Sequence, residues 1–517
     1  MVGKKSLGHI PLILTCWLLL AEFLSMPIDR ARAESLRDDS TALAQALEAI
    51  SADRMLADIR MLSGPEFNGR QTGTPDDERS AEFVHRRFMS IRERCSPAPL
   101  PETLTNPSPS REWDQSLPVP VTTIGEHALL HLSLEPDHPP ASVGTDYLPV
   151  LDSPSADLLA PIVFVGYGIA DPENGFDEYA GLEVRDKIVL FLRGKPERYP
   201  RQVSHADKVR TAREKGALGY LTATGPILSP YEMRRGVTGH PAAFYGQIPV
   251  DQAIPGAWIS TAQASAILQM GESATPNRDR LRTLQQRLNE TGTPQSVATM
   301  VTAKLSWNSV TRNGTLHNVM SIIRGRDHQE HAIVIGAHRD HFGRQGGLLF
   351  AGADDNASGT AVLLEVARVL AVAPAAPKRS IVLVSFSGEE QGLIGSRYYT
   401  EHPVVPLPST VAMINVDHAG IGNSRLTLGV TGLDKSVVLQ AGQAAKLDDR
   451  IDVFGFFPGG DHVPFKEAGV PTVTVVSGGV HPHFHQATDT AGTLDPGILT
   501  TAARYVTALA WQLANAP

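Results

Sequence analysis

Cysteine is nearly absent. The 517-residue chain has two, Cys16 and Cys95, which excludes a disulfide framework and a cysteine-ligated zinc site. Basic tracts are missing too. Lys and Arg number 46 against 55 Asp and Glu, a net charge of −9, and no Lys/Arg run stands out against it. Nucleic acid and anionic membrane surfaces are therefore not expected partners. No segment attains the roughly 18–20 apolar residues of a membrane span. A G-x-S-x-G serine-hydrolase elbow is absent, and so is an H-E-x-x-H zinc helix. Aromatic residues make up only 6%, but the hydrophobic share of 42% rules out a disordered or collagen-like chain. At about 150 residues per domain the length suggests roughly two to four domains.

The first 33 residues read as an address. Lys4 and Lys5 precede an apolar run from Ile10 to Leu24, and Ala31-Arg32-Ala33 offers small residues two apart. This is the pattern of a secretory signal peptide. Bulky Ile13-Leu14-Thr15 before Cys16 fits a lipoprotein poorly. Cleavage after Ala33 would leave a chain of net charge −11 with one thiol, Cys95. A secreted or periplasmic bacterial protein is the expectation.

Three stretches follow. Residues 34–144 form an N-terminal part: helical periodicity over 40–95 around a polar loop, Pro65 to Asp77, then a Pro- and Ser-rich linker over 96–120. Residues 145–300 read as a β-rich insert, with strands over 161–168, 186–194 and 219–222 and a helix over 206–215. This insert lacks a dense His/Asp/Glu cluster. It is expected to be a separate unit whose removal leaves metal binding largely intact. Residues 301–517 alternate apolar strands (333–336, 381–386, 411–416, 471–476) with helices, one of them over 357–370. Such continuous apolar strands with long connections predict an α/β fold around a mostly parallel sheet covered on both faces.

Polar clusters stand where those strands end: His338-Arg339-Asp340-His341, Gly388-Glu389-Glu390, Asp417-His418, and His481-Pro482-His483-Phe484-His485. A fifth, Asp354-Asp355-Asn356, opens a helix. Ligands of open α/β sheets bind beyond the carboxyl ends of the strands, so the clusters are expected to share one crevice. Each has an ordinary alternative: a helix cap for Asp355-Asn356, a solvated loop for Glu389-Glu390, an ion pair for Asp417. Their joint placement favours a site. Imidazoles with carboxylates and no thiolate suit zinc or another first-row divalent ion. Two imidazoles and three carboxylates fit two ions sharing one carboxylate. Of two adjacent glutamates, one can ligate while its neighbour moves a proton.

The set resembles metallopeptidase family 28, the co-catalytic dizinc aminopeptidases. The motifs that carry it are His338-x-Asp340, Gly352 to Gly359, Gly388 to Ser396, Asp417, His485 before Thr488-Asp489-Thr490, and the early Phe67 to Thr74 loop. The resemblance implies a three-layer zinc-aminopeptidase-like fold with an inserted protease-associated domain at 145–300 and the catalytic domain at 301–517. It implies two Zn2+ per chain, one held by His338 and Asp417, the other by Glu390 and His485, with Asp355 between them. Glu389 would be the general base and Asp340 the residue that orients His338. Asp354 is expected to be a turn residue, and His341 and His418 either to line the crevice or to shape it and hydrogen-bond groups behind the ligands. His485 is chosen over His481 and His483 by the motif. Phe457 stands where some relatives carry an oxyanion-steadying tyrosine. Phenylalanine donates no hydrogen bond, which leaves His462 as a candidate donor.

The implied activity is that of a secreted exopeptidase acting on peptide or protein N-termini. Alternatives are a glutaminyl-cyclase-like acyltransferase and a non-catalytic receptor-like protein. Carboxypeptidase action would need a basic residue for a terminal carboxylate, for which Arg339, Arg344 and Arg397 are the candidates.

Overall fold

A computed structural model describes residues 39–95, 115–134, 139–229, 232–233, 237–269 and 279–516. The signal-peptide reading of 1–33 lies outside them. Among the described residues, no helix is long and apolar enough to cross a membrane.

The main sheet has eight strands, in spatial order Gln115–Ile124, Ser309–Ile323, Arg379–Phe386, His328–His338, Thr410–Val416, Thr472–Ser477, Leu426–Thr431 and Ile451–Phe454. Its centre is parallel: His328–His338 pairs in parallel with both Arg379–Phe386 and Thr410–Val416, and the latter with Thr472–Ser477. The flanking pairs are antiparallel except at the far edge, where Leu426–Thr431 and Ile451–Phe454 run parallel, so the sheet is mixed. Those central strands are Val/Ile/Leu runs because both faces are covered. One face packs against the helices Ala52–Leu62, Pro75–Cys95, Gly359–Ala371, Lys435–Ala444 and Pro496–Asn515. On the other, Phe386 and Met413 meet Tyr399 and Phe465 of the short helices Ile394–Glu401 and His462–Glu467.

Gln115–Ile124 corrects the sequence reading, which ran a linker to residue 120. Pro118 and Pro120 are exposed on this edge strand, where a missing N–H costs no ladder bond.

A second, seven-stranded sheet runs Leu129–Leu132, Val297–Trp307, Ala156–Phe164, Ile188–Leu192, Gly219–Ala223, Gly256–Ile259, Tyr147–Pro149. Its strands begin before residue 145 and end after 300. Helices His205–Glu214, Thr261–Gln269 and Arg280–Thr291 accompany it. Ser204 starts the first with a capping box, accepting from Asp207 N–H while the Asp207 carboxylate accepts from Ser204 N–H. The unit built on the second sheet meets the segment that follows His328–His338 through an apolar cluster of Leu148, Leu151 and Ala243 with Phe342 and Phe350.

Candidate metal centre and active site

The parallel strands all deliver their carboxyl ends to one place. His338 is the last residue of its strand, Glu389 and Glu390 follow Phe386 by three and four residues, and Asp417 directly follows Val416. Asp355 comes from the loop Ala353–Ser358 that feeds the Gly359–Ala371 helix. Asn356 fastens this loop: its amide donates to Val416 O at 2.9 Å and its carbonyl accepts from Gly359 N–H at 2.8 Å. Gly359 is required there, because a Cβ would stand 2.3 Å from Asn356 Oδ1 and 2.5 Å from Val416 O. Thus Asn356 serves as the helix cap, and the Asp355 carboxylate is left for the crevice.

The two oxygens of Asp355 face two different imidazoles. Oδ1 lies 3.4 Å from His338 Nε2, and Oδ2 lies 3.1 Å from His485 Nε2. Asp417 Oδ1 is 3.4 Å from His338 Nε2, and Glu390 Oε2 is 3.4 Å from His485 Nε2. Ligand atoms of His338, Asp355 and Asp417 all lie within 4.8 Å of one another, as do those of His341, Asp355 and Glu390. Glu389 Oε2 stands 4.0 Å from His338 Nε2.

These side chains fit metal ions. Asp355 Oδ2, Asp417 Oδ1 and His341 Nε2 are buried without a hydrogen-bond partner among the described residues. Buried carboxylates crowded without compensation are costly, and a divalent cation reverses that cost. The crowding shows in the protonation preferences. Burial pushes Glu389 up to about 8, against the pull of His338 and with the push of Asp417. Burial and the charge of Asp355 hold Glu390 well above its usual range.

Neighbours hold the candidate ligands in place. Asp340 accepts from Thr72 Oγ1 at 2.8 Å and from the Glu389 and Glu390 N–H groups at 3.3 and 3.4 Å, and its Oδ1 lies 3.6 Å from His338 Nδ1. One carboxylate thereby ties the first histidine to both glutamates. His341, expected to line or shape the pocket or to hydrogen-bond a neighbouring group, contacts Glu390 Oε1 through Nδ1 at 2.7 Å. Asp354 corrects its reading as a turn residue. It is buried, its Oδ2 is 2.6 Å from His481 Nδ1 and 3.5 Å from His418 Nδ1, and its Oδ1 accepts from Gly420 N–H at 2.8 Å. His483 instead pairs with Thr488 Oγ1 at 2.9 Å.

Two supporting residues carried no assigned role in the sequence reading. Asp489 accepts from Asp354 and Asp355 N–H at 2.9 and 3.0 Å. Arg70, fully buried, donates to Arg339 O, Ala351 O and Gly352 O at 2.6, 2.8 and 2.8 Å. Their signal was membership in the Thr-Asp-Thr and Phe67–Thr74 motifs.

The sequence profile of peptidase family M28 matches residues 318–510. That segment is an M28 peptidase domain. Among curated proteins, a probable glutamate carboxypeptidase, VP8 of Zea mays, is 29% identical over 489 residues, 84% of this chain and 62% of its own length. The aminopeptidase YwaD of Bacillus subtilis is 31% identical over 212 residues, 39% of this chain and 45% of its own. The chain thus spans less than two thirds of either relative. A peptidase M28 precursor from Shewanella amazonensis shares the fold at a TM-score of 0.64 and 20% identity, covering 93% of this chain and 97% of that one. An aminopeptidase from Aneurinibacillus sp. strain AM-1 does so at 0.62 and 20%, covering 92% and 96%.

Within the M28 domain, His462 is not disposed to donate to an oxyanion. Its Nε2 lies 3.0 Å from the Phe457 carbonyl, so the proton sits there, and burial pushes its pKa down to about 4. The neutral ring then presents a lone pair at Nδ1. The three arginines considered for a terminal carboxylate are engaged elsewhere. Arg339 pairs with buried Asp77 at 2.9 Å, Arg344 donates to Asn68 Oδ1 at 2.7 Å, and Arg397 pairs with Glu467 at 2.8 Å.

The second sheet's unit supplies none of the five candidate ligands, yet it reaches the site. Ala243 O accepts from His485 Nδ1 at 2.8 Å, and Ala243 N–H donates to His485 O at 3.0 Å. The unit thus contributes no candidate ligand itself but holds one of them.

Proposed function

We propose that the chain is an exported dizinc exopeptidase that removes residues from peptide N-termini. The observation that carries this reading is Asp355, whose two oxygens face His338 on one side and His485 on the other. His338, Asp355 and Asp417 would hold one zinc; Asp355, Glu390 and His485 would hold the other. When bound, such a pair supplies Lewis acidity that eases deprotonation of water and offsets oxyanion charge.

The chain's own residues do the rest. Glu389 takes the proton of the attacking water as the C–O bond forms, and delivers it to the departing amine as the C–N bond breaks. Asp340 fixes His338 and the Glu389–Glu390 backbone together, so base and ligands keep one geometry. With Arg339, Arg344 and Arg397 committed to other partners, action on amine ends is favoured over carboxylate ends. The export reading rests on the sequence pattern of residues 1–33.

The test is metal analysis combined with a panel of aminoacyl and C-terminal peptide substrates. Two zinc ions per chain are expected, with aminoacyl hydrolysis lost on chelation and restored by zinc or cobalt. A metal-free protein with full activity would end this reading.

A further inference from the structure

The loop 241–247 belongs by sequence to the unit built on the second sheet, but it grips the last histidine of the M28 domain. Ala243, with no exposed surface, holds His485 at both main-chain and side-chain level. Gln486 Nε2 adds a bond to Pro241 O at 2.9 Å. The loop is in turn anchored in its own unit. Phe244 packs edge-on against His205 and Trp258 at centroid distances of 5.0 and 5.5 Å, and its carbonyl accepts from Leu151 N–H at 3.1 Å. Asp152 accepts from Gly246 and Gln247 N–H, each at 2.7 Å.

A carbonyl 2.8 Å from Nδ1 demands a proton on that nitrogen. The neutral ring must then present its lone pair at Nε2, the atom facing Asp355 and Glu390. We infer that loop 241–247 is a positioning device for the second metal: Ala243 O selects the tautomer and ring orientation of His485, so the inserted unit sets the affinity of that ion alone. This inference rests on the dizinc reading above. The first ion's candidate ligands, His338, Asp417 and the shared Asp355, touch no residue of this loop in any hydrogen bond or ion pair found among the described residues.

The experiment uses the full chain, stripped of metal and titrated with zinc against a competing chelator. Asp417→Ala and Glu390→Ala assign the two binding steps. Two variants loosen the loop from its own side, Phe244→Ala and Asp152→Ala, with Phe244→Leu and Asp152→Asn as conservative rescues. Removing a partner of a ligating histidine typically weakens a metal roughly 10–100-fold. A selective loss of about 10-fold or more in the second step, with the first unchanged and partial recovery in the rescues, is the expected result. Unchanged affinity in both steps, or equal loss in both, overturns the inference while leaving the dizinc reading intact. A parent chain that binds no zinc overturns both.

Discussion

Glu389 and Glu390 are adjacent in sequence and opposite in expected role. The first stands 4.0 Å from His338 Nε2, and the second faces His485 and His341. Glu389→Gln keeps the side chain's size and removes its basicity. Zinc content should stay near two per chain while turnover falls roughly 100-fold or more. KM should change less than kcat, because the lost interaction acts in the transition state. Glu390→Gln should lose one zinc. Metal analysis showing the opposite pattern would exchange the two roles. These residues were legible because each follows an apolar strand. Asp354, His418 and His481 were placed in the crevice by their clusters and Asp489 by its motif, but the bonds they make were not legible, since a buried carboxylate has no local signature for its partner. Their pairing depends on segments more than 60 residues apart.

The central parallel strands were readable for a simple reason: burial on both faces forces unbroken Val/Ile/Leu runs. The flanking strands obey no such constraint. Gln115–Ile124 alternates buried Val119 and Val121 with exposed prolines, and Ser309–Ile323 carries Arg312, Asn313 and His317. Composition alone makes both look like connections. Between these elements sits Arg339, fully buried, paired with Asp77 at the start of the Pro75–Cys95 helix and donating to Ser80 Oγ, Ser385 O and Phe386 O. It pins that helix to the strand end that bears Glu389. Arg339→Leu leaves Asp77 buried and unpaired, and should cost about 3–5 kcal/mol in urea unfolding. The double variant Arg339→Leu/Asp77→Leu should recover part of that loss. Additive losses would mean that the two residues act separately.

At the level of the whole molecule, the proposed centre gathers residues 338, 355, 389–390, 417 and 485 of the M28 domain, Thr72 of the N-terminal part and Ala243 of the inserted unit. Ligands that bind only the folded state stabilise it, by about 2.7 kcal/mol at a hundredfold excess over Kd. For a chain of this size that amounts to several degrees in Tm. Zinc should therefore raise Tm, and the location of the added protection is the sharper test. Because Ala243 N–H is bonded to His485, and the Gly246 and Gln247 N–H groups to Asp152, occupancy of the second position should slow hydrogen exchange at these three amides. Exchange in the Gly219–Ala223 strand, deep in the same unit, should hardly change. A slowing confined to residues 318–510 would show that the unit is only a neighbour of the site. Slowing at 243, 246 and 247 that disappears in Glu390→Gln would show that the second metal and the inserted loop order each other.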